Sequence, residues 1–304
     1  MVIGTIRRGW PLVQIGSEYP LNGEFDEPGD VVARARHENF PVASRLLPRD
    51  ARQQLMAIYG FARLADDIGD EAQGDRLAQL DWLEAELELA SSGRASHAVL
   101  RRLTPVLRRP GSDLAPYRCL IEANRMDQRV RRYDTFEDLV GYCMLSAAPV
   151  GRLVLSVFGA ATPERMALSD NVCIGLQLVE HLQDVGEDAR ADRVYLPQVD
   201  LDRFGCTPGD LLGSSSGPAL RNLVAMQAER ALGLLVAGGP LARQLARRPG
   251  IAVAGFTAGG IAAVDAIARA DYDVLSNLCR PRPLRLAARM VGVLAGPRRA
   301  EVPA

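Results

Sequence analysis

Five aspartates in two short runs are the residues of this chain best placed to do chemistry. Asp66, Asp67 and Asp70 lie in FARLADDIGDE, and Asp184 and Asp188 lie in QLVEHLQDVGED. Each run holds a pair four residues apart inside an apolar-periodic stretch, so a helix would carry both carboxylates on one face. Two such faces opposed across a helical bundle would form a pocket of hard oxygen ligands with excess negative charge. Phosphate is repelled from such a pocket unless divalent cations intervene, and Mg²⁺ characteristically bridges a few carboxylates to substrate phosphates. The chemistry indicated is a metal-mediated grip on a diphosphate.

The neighbours of the aspartates extend this reading. Arg63 precedes the first cluster by one helical turn and is placed to meet a metal-held phosphate. Gln177, His181, Asp184 and Asp188 follow i, i+4, i+7 and i+11, which makes them one stripe of a single helix over 164–190, with Glu180 beside it. Cys173, Ile174, Leu178 and Leu182 flank that stripe, and polar groups there are costly unless they face water, metal or ligand. Arg193 and Tyr195 follow in DRVYLP. An acidic run on a helix is also what a solvated face looks like, so the first cluster alone decides nothing. The second stripe tips the balance toward a site.

The elements that must position these residues are helical. Over 304 residues the hydrophobic content is 48% with only 5% aromatic, a composition rich in Ala, Leu, Val and Arg that favours helices. Helical patterns are expected over 50–92, 112–131, 135–159, 164–190, 218–247 and 251–278, with a loop holding short helical pieces between the fourth and fifth. No alternating strand pattern or internal repeat appears. The expectation is a single all-α domain over residues 30–280, with an irregular lead-in at 1–29 and a basic amphipathic segment at 281–304. In that last segment Leu284, Ala287, Ala288, Val291 and Leu294 share one face, and Arg282, Arg285 and Arg289 another. Such a helix suits an anionic membrane surface or docking on its own bundle.

Composition also excludes. Net charge is −1, so no global attraction to nucleic acid exists. All 36 basic residues are Arg, which rules out a Schiff-base lysine and a P-loop lysine. Five scattered cysteines and three dispersed histidines match neither a disulfide framework nor a His-built metal centre. The lead-in lacks a signal-peptide core, and no stretch was expected to reach the roughly 20 apolar residues of a membrane span. A cytoplasmic protein is expected, with peripheral contact at the inner face of the membrane open to it.

Four blocks then carry a resemblance: ENFPVASRLLP, AIYGFARLADDIGDE, MDQRVRRYDTFEDLVGYCMLSAAPVG and QLVEHLQDVGEDARADRVYLP. Together they resemble the squalene/phytoene synthase family over residues 34–280, the last block matching the family's QLxNxxxDxxxDxxxGRxYLP. Within the family, ENFPVAS and SAAPVG look most like the HpnC-type enzymes of the hopanoid pathway, which convert presqualene diphosphate to hydroxysqualene. The resemblance implies the isoprenoid synthase fold, a helical bundle around a central cavity. It implies about three Mg²⁺ per site, held by Asp66 and Asp70 and by Asp184 and Asp188, with Asp67 and Glu187 as auxiliaries. Arg63 and Gln177 match diphosphate-contacting positions, and Phe40, Tyr142 and Val150 match positions lining the prenyl cavity. Asn39 beside Phe40, and Arg193 with Tyr195, complete the expected substrate-binding set. No nicotinamide or flavin is expected, since GFTAGG at 255–260 lies in a helical pattern.

Three departures from the family pattern stand out. His37-Glu38-Asn39 replaces a Ser-(Lys/Arg)-Ser run, Glu180 replaces an Asn with His181 after it, and Gly260 sits where a Tyr is common. These changes concentrate on diphosphate and cation handling, and they argue against condensation of two prenyl diphosphates. Glu180 and His181 are expected either to orient the water that quenches the cation or to hydrogen-bond metal-bound water. Two other functions stay open: head-to-head condensation of farnesyl or geranylgeranyl diphosphate, and a non-catalytic assembly factor on the same fold. The partners expected are a prenyl diphosphate, and by channelling the enzyme that forms presqualene diphosphate.

Overall fold

The computed structural model describes residues 47–276, 279 and 283–296. Among them every regular element is a helix, apart from one isolated parallel bridge between Arg132 and Val194. The helices are α1 (Arg49–Asp70), α2 (Arg76–Ser91), α3 (Ala98–Leu107), α4 (Ala115–Asp127), α5 (Phe136–Ser146), α6 (Ala148–Val157) and α7 (Pro163–Gln183). Then come α8 (Val185–Arg190), α9 (Gln198–Phe204), α10 (Pro208–Leu211), α11 (Pro218–Gly238), α12 (Leu241–Gln244), α13 (Arg247–Arg269) and α14 (Pro283–Ala295). They group into two compact units. One holds the described residues up to Arg131 together with Met144–Ala161, and the other holds Arg132–Cys143 together with those from Thr162 onward.

In the first unit α1 packs against α2, α3, α4 and α6. Its stripe of Ile58, Phe61, Ala65 and Ile68 is buried with Leu80, Leu83 and Leu87 of α2 and Leu100 and Leu103 of α3. Phe61 meets Tyr117 of α4 edge-on, with ring centroids 5.2 Å apart, a geometry favoured by the ring quadrupoles. The long pattern over 50–92 is two helices rather than one. Gly74 turns the chain at φ +83°, and the Asp75 side chain caps α2 by accepting from Ala78 N at 3.0 Å. Glu86, buried at 5% exposure, accepts from Ser96 Oγ and from the backbone N–H groups of Ser96 and His97 at the start of α3.

In the second unit α7 runs against α11, and α13 packs on both. The approach is close because glycines face it. A Cβ on Gly175 would lie 2.8 Å from Leu235, and one on Gly238 would lie 2.5 Å from Val172. Gly260 has the same cause: a Cβ there would meet Leu176 at 2.8 Å and Leu235 at 2.9 Å. The departure noted at that position is therefore a packing requirement between α13, α7 and α11. The expected helix over 164–190 breaks at Asp184 (φ −105°, ψ 10°) into α7 and α8, although Asp184 N still donates to Glu180 O and Asp188 N to Asp184 O. The expected helix over 135–159 likewise divides at Ala147 into α5 and α6.

Two helical segments, Phe136–Val157 and Arg247–Arg269, are long and apolar enough to cross a membrane. That corrects the expectation that no stretch would be. Half of the apolar window in the first and 61% of it in the second are buried in protein, as befits helices whose small residues serve interior packing. The lead-in at 1–29, the ENFPVAS block with Asn39 and Phe40, the HEN replacement and Arg282 lie outside the described residues.

Candidate active site

The first acidic cluster sits on the last two turns of α1. Apolar residues of that helix face its unit's core, which leaves Asp66, Asp67 and Asp70 half-buried at the edge of the buried face. Arg63 Nη2 pairs with Asp67 Oδ1 at 2.8 Å and reaches Glu71 at 3.7 Å. The arginine thus lies on the Asp67–Glu71 stripe, beside the Asp66–Asp70 stripe. Asp66 is held from α4, where Asn124 Nδ2 donates to Asp66 Oδ1 at 3.3 Å. Burial pushes the Asp66 carboxyl up to about 7, Asp70 adds like-charge repulsion, and Asn124 and Arg63 oppose both.

The second cluster is built at the break between α7 and α8. Asp184 ends α7 and Asp188 lies in α8, so the stripe expected from spacing is carried by two helices. His181 is buried, and its imidazole stacks on the Tyr195 ring at 3.8 Å and 12°. Tyr195 is brought there by the segment after α8. Arg132 bonds to Asp192 through both its carbonyl and its carboxylate, and Gln198 N donates to Tyr133 O at 2.8 Å. Tyr142 and Tyr133 extend the stack, with centroids 5.6 and 5.8 Å from Tyr195.

Burial drives the His181 pKa well below its ordinary value, so the ring is neutral. Its Nε2 lies 3.2 Å from Gln177 Nε2 and its Nδ1 lies 4.0 Å from Asp188 Oδ2. One tautomer serves both contacts, with Nε2 accepting from the amide and Nδ1–H turned to the carboxylate. Burial raises Asp188 to about 7, aided by Asp184 and opposed by Arg193, and raises Asp184 to about 6, aided by Glu187.

A chain with two such carboxylate pairs, each at a helix end, can be set against known proteins. The model of the squalene/phytoene synthase family matches residues 33–288. This chain belongs to that family. A hydroxysqualene synthase of Rhodopseudomonas palustris is 41% identical over 214 residues, 69% of this chain and 72% of the relative. A phytoene synthase of Arthrospira platensis is 34% identical over 64% of this chain and 68% of the relative. The crystal structure of squalene synthase HpnC from Alicyclobacillus acidocaldarius has a TM-score of 0.75 and 40% identity, covering 80% of this chain and 95% of that one. The chain is an all-α enzyme of this family with the isoprenoid synthase fold.

The donor set suits Mg²⁺. Among the described residues no three His, Cys, Asp or Glu side chains converge as a complete metal cage. Mg²⁺ needs no cage, since it takes one or two carboxylates and keeps water and substrate phosphate for the rest. Gln177 supports the same reading: it is 1% exposed and its Oε1 accepts no hydrogen bond among the described residues, an oxygen left over for a ligand or its water.

Asn124 and Gly69 escaped the sequence reading. A signal existed, because Asn124 interrupts the apolar stripe of Tyr117, Leu120 and Ile121 on α4 and is only 7% exposed. Tyr133 gave no comparable signal. Its place in the stack depends on the bridge between Arg132 and Val194, 62 residues apart in sequence.

Proposed function

We propose that this chain is a Mg²⁺-dependent hydroxysqualene synthase, converting presqualene diphosphate and water to hydroxysqualene and diphosphate. The observation that carries the reading is that both acidic pairs are present, with burial raising the proton affinity of Asp66, Asp184 and Asp188, in a chain 41% identical to a hydroxysqualene synthase. Asp66 and Asp70, and Asp184 and Asp188, would hold the Mg²⁺ ions, about three per site. Bound Mg²⁺ would neutralise the diphosphate and make it a better leaving group. The carbon–oxygen bond breaks with its electron pair on diphosphate, the cyclopropylcarbinyl cation rearranges, and water adds and loses a proton.

The protein's own residues have definable tasks in that scheme. Arg63 and Gln177 would contact the diphosphate or its bound water, Arg193 offsets charge near Asp188, and the family resemblance assigns Tyr142, Val150, Asn39 and Phe40 to the prenyl chain. Glu180 and neutral His181 place the water that ends the reaction. A neutral imidazole already bonded at Nε2 can accept no second hydrogen bond there, so His181 acts by orientation. Removal of charge from Asp188 by a buried imidazolium is thereby avoided.

Phytoene synthases are also similar to this chain, at 34% identity, which supports head-to-head condensation as the second reading. An assembly factor without activity is disfavoured, because all four principal aspartates are in place. The test is purified protein with Mg²⁺ and no nicotinamide, given presqualene diphosphate or farnesyl diphosphate in parallel. Hydroxysqualene from the first and no consumption of the second is the expected result. Consumption of farnesyl diphosphate replaces the reading with the condensing one.

The proposed setting is the cytoplasm with peripheral lipid contact, beside the enzyme that forms presqualene diphosphate. Support comes from α14, which docks on α13 through Arg289 bonds to both Asp265 oxygens at 2.9 and 2.8 Å. Docked so, it still exposes Leu284 at 86% and Val291 at 67%, in a segment with six Arg and one Glu from Arg280 on. Flotation with anionic but not neutral vesicles, lost on deletion of 283–304, is the expected result.

A further inference from the structure

The end of α1 is an unfavourable place to gather carboxylates. Asp66, Asp67, Asp70 and Glu71 crowd the C-terminal turns, where the helix dipole is negative and the last carbonyls lack partners. Three side chains from outside the helix supply donors there. Arg76 donates to Gly69 O at 3.0 Å and Ala72 O at 2.9 Å, and Gln128 Nε2 donates to Gly69 O at 3.0 Å. Asn124 is the one of these three that reaches a carboxylate, at Asp66 Oδ1. Its Nδ2 is anchored at the same time on Leu120 O at 3.0 Å, one turn back on α4.

The contact requires room that α1 provides. A Cβ on Gly69 would lie 2.1 Å from Asn124 Oδ1 and 2.9 Å from its Cγ. Any larger residue at 69 would push the carboxamide out. Gln128, one turn after Asn124, also donates to Asn124 O at 3.0 Å and ties this stretch of α4 to the same carbonyl of Gly69. A buried carboxamide with both its amide protons committed has one orientation, and so does the carboxylate it meets.

We infer that Asn124 is a positioning residue for the first acidic cluster, fixing the Asp66 carboxylate through Oδ1 so that Oδ2 is presented to a divalent cation, with Gly69 as the space that admits it. The inference rests on the proposed metal role of Asp66. Outer partners of ligating carboxylates set their orientation, and their loss typically weakens metal binding about tenfold to a hundredfold.

The experiment uses the full chain and calorimetric titration of Mg²⁺ in the presence of inorganic diphosphate, with melting in EDTA recorded alongside. Wild type, Asn124→Leu, Asn124→Ala and Gly69→Ala are compared. The two Asn124 variants are expected to bind Mg²⁺ with diphosphate at least about tenfold more weakly while melting in EDTA within a few degrees of wild type. Gly69→Ala, which leaves Asn124 chemically intact, is expected to show the same loss of binding. In the Asn124→Ala background it should add little. Unchanged Mg²⁺ affinity in both Asn124 variants, whatever their melting temperature, makes Asn124 a packing residue and overturns the inference alone. No binding by wild type overturns the metal reading and the inference with it.

Discussion

The two acidic clusters share a composition and differ in how they are built. The first lies on one unbroken helix, α1, and is held from outside by Asn124 of α4. The second straddles a helix break, and its support is a stack of His181 on Tyr195 with Tyr142 and Tyr133 behind. Both reach the same electrostatic state, with Asp66 and Asp188 each raised to about 7 by burial. Carboxylates poised this way lose their protons to a metal near neutral pH, and two unrelated scaffolds arrive there. Helix geometry alone supplies the spacing, while the orientation of each pair depends on neighbours distant in sequence.

The strongest challenge to treating the clusters as equivalent is to remove one ligand from each. Asp66→Ala and Asp184→Ala are each expected to lower kcat about a thousandfold, on the scale of losing a principal electrostatic stabiliser. A much smaller loss in one would show that the two do unequal work. The glycines beside the clusters sharpen the contrast in stability. Gly69→Ala meets a buried carboxamide and is expected to cost about 2 kcal/mol by denaturant unfolding. Gly186→Ala meets the tip of Leu275, 2.9 Å from the added carbon, and the end of the Arg190 side chain at 3.5 Å, both free ends of side chains, and is expected to cost less than Gly69→Ala, under about 1 kcal/mol.

The stack itself is the next target. Tyr195→Leu is expected to weaken turnover about tenfold by loosening His181 and with it Asp188, and to lower the EDTA melting temperature because a buried, stacked ring is lost. Product analysis of His181→Ala is expected to show less alcohol per presqualene diphosphate consumed, and an unchanged alcohol yield would remove His181 from the water-placing step.

Proton linkage gives the smallest and broadest effect. Asp66, Asp184 and Asp188 have folded pKa values raised above the ordinary carboxylate value of 3.8. Their contribution to stability is full below that value and is lost as pH rises through 6 to 7. The melting temperature in EDTA should therefore fall between pH 5 and pH 8 on their account. Stabilisation by Mg²⁺ should grow over the same interval, because the ion replaces protons. Asp66→Asn should flatten this dependence less than Asp184→Asn combined with Asp188→Asn, since the single variant removes one raised group and the double variant removes two.

What the sequence disclosed follows the same division. Helix periodicity made the all-α class and the aspartate pairs readable, because i,i+4 spacing is local. The block of QLVEHLQDVGED with DRVYLP marked the second acidic cluster without revealing that α7 stops at Asp184. A break of one residue leaves the apolar period almost intact, as the retained Asp184 and Asp188 backbone bonds show. The split between α1 and α2 was readable in principle from Gly74 and Asp75. Asn124 could be picked out as a polar break in the apolar stripe of α4, but its fit against Gly69 could not, nor could that of Gly260 against Leu176 and Leu235, since each is a steric fact between helices. Arg63 was placed on the right helix turn, but its partner Asp67 is set by the four-residue period, which puts it one stripe over from Asp66.

In the proposed reaction a carbon–oxygen bond ionises and water then captures carbon. Incubation with presqualene diphosphate and Mg²⁺ in H₂¹⁸O, followed by mass spectrometry of both products, tests it directly. One ¹⁸O in hydroxysqualene and none in the released diphosphate is the predicted result. Unlabelled alcohol with ¹⁸O in the phosphate product would show attack at phosphorus and would overturn the ionisation.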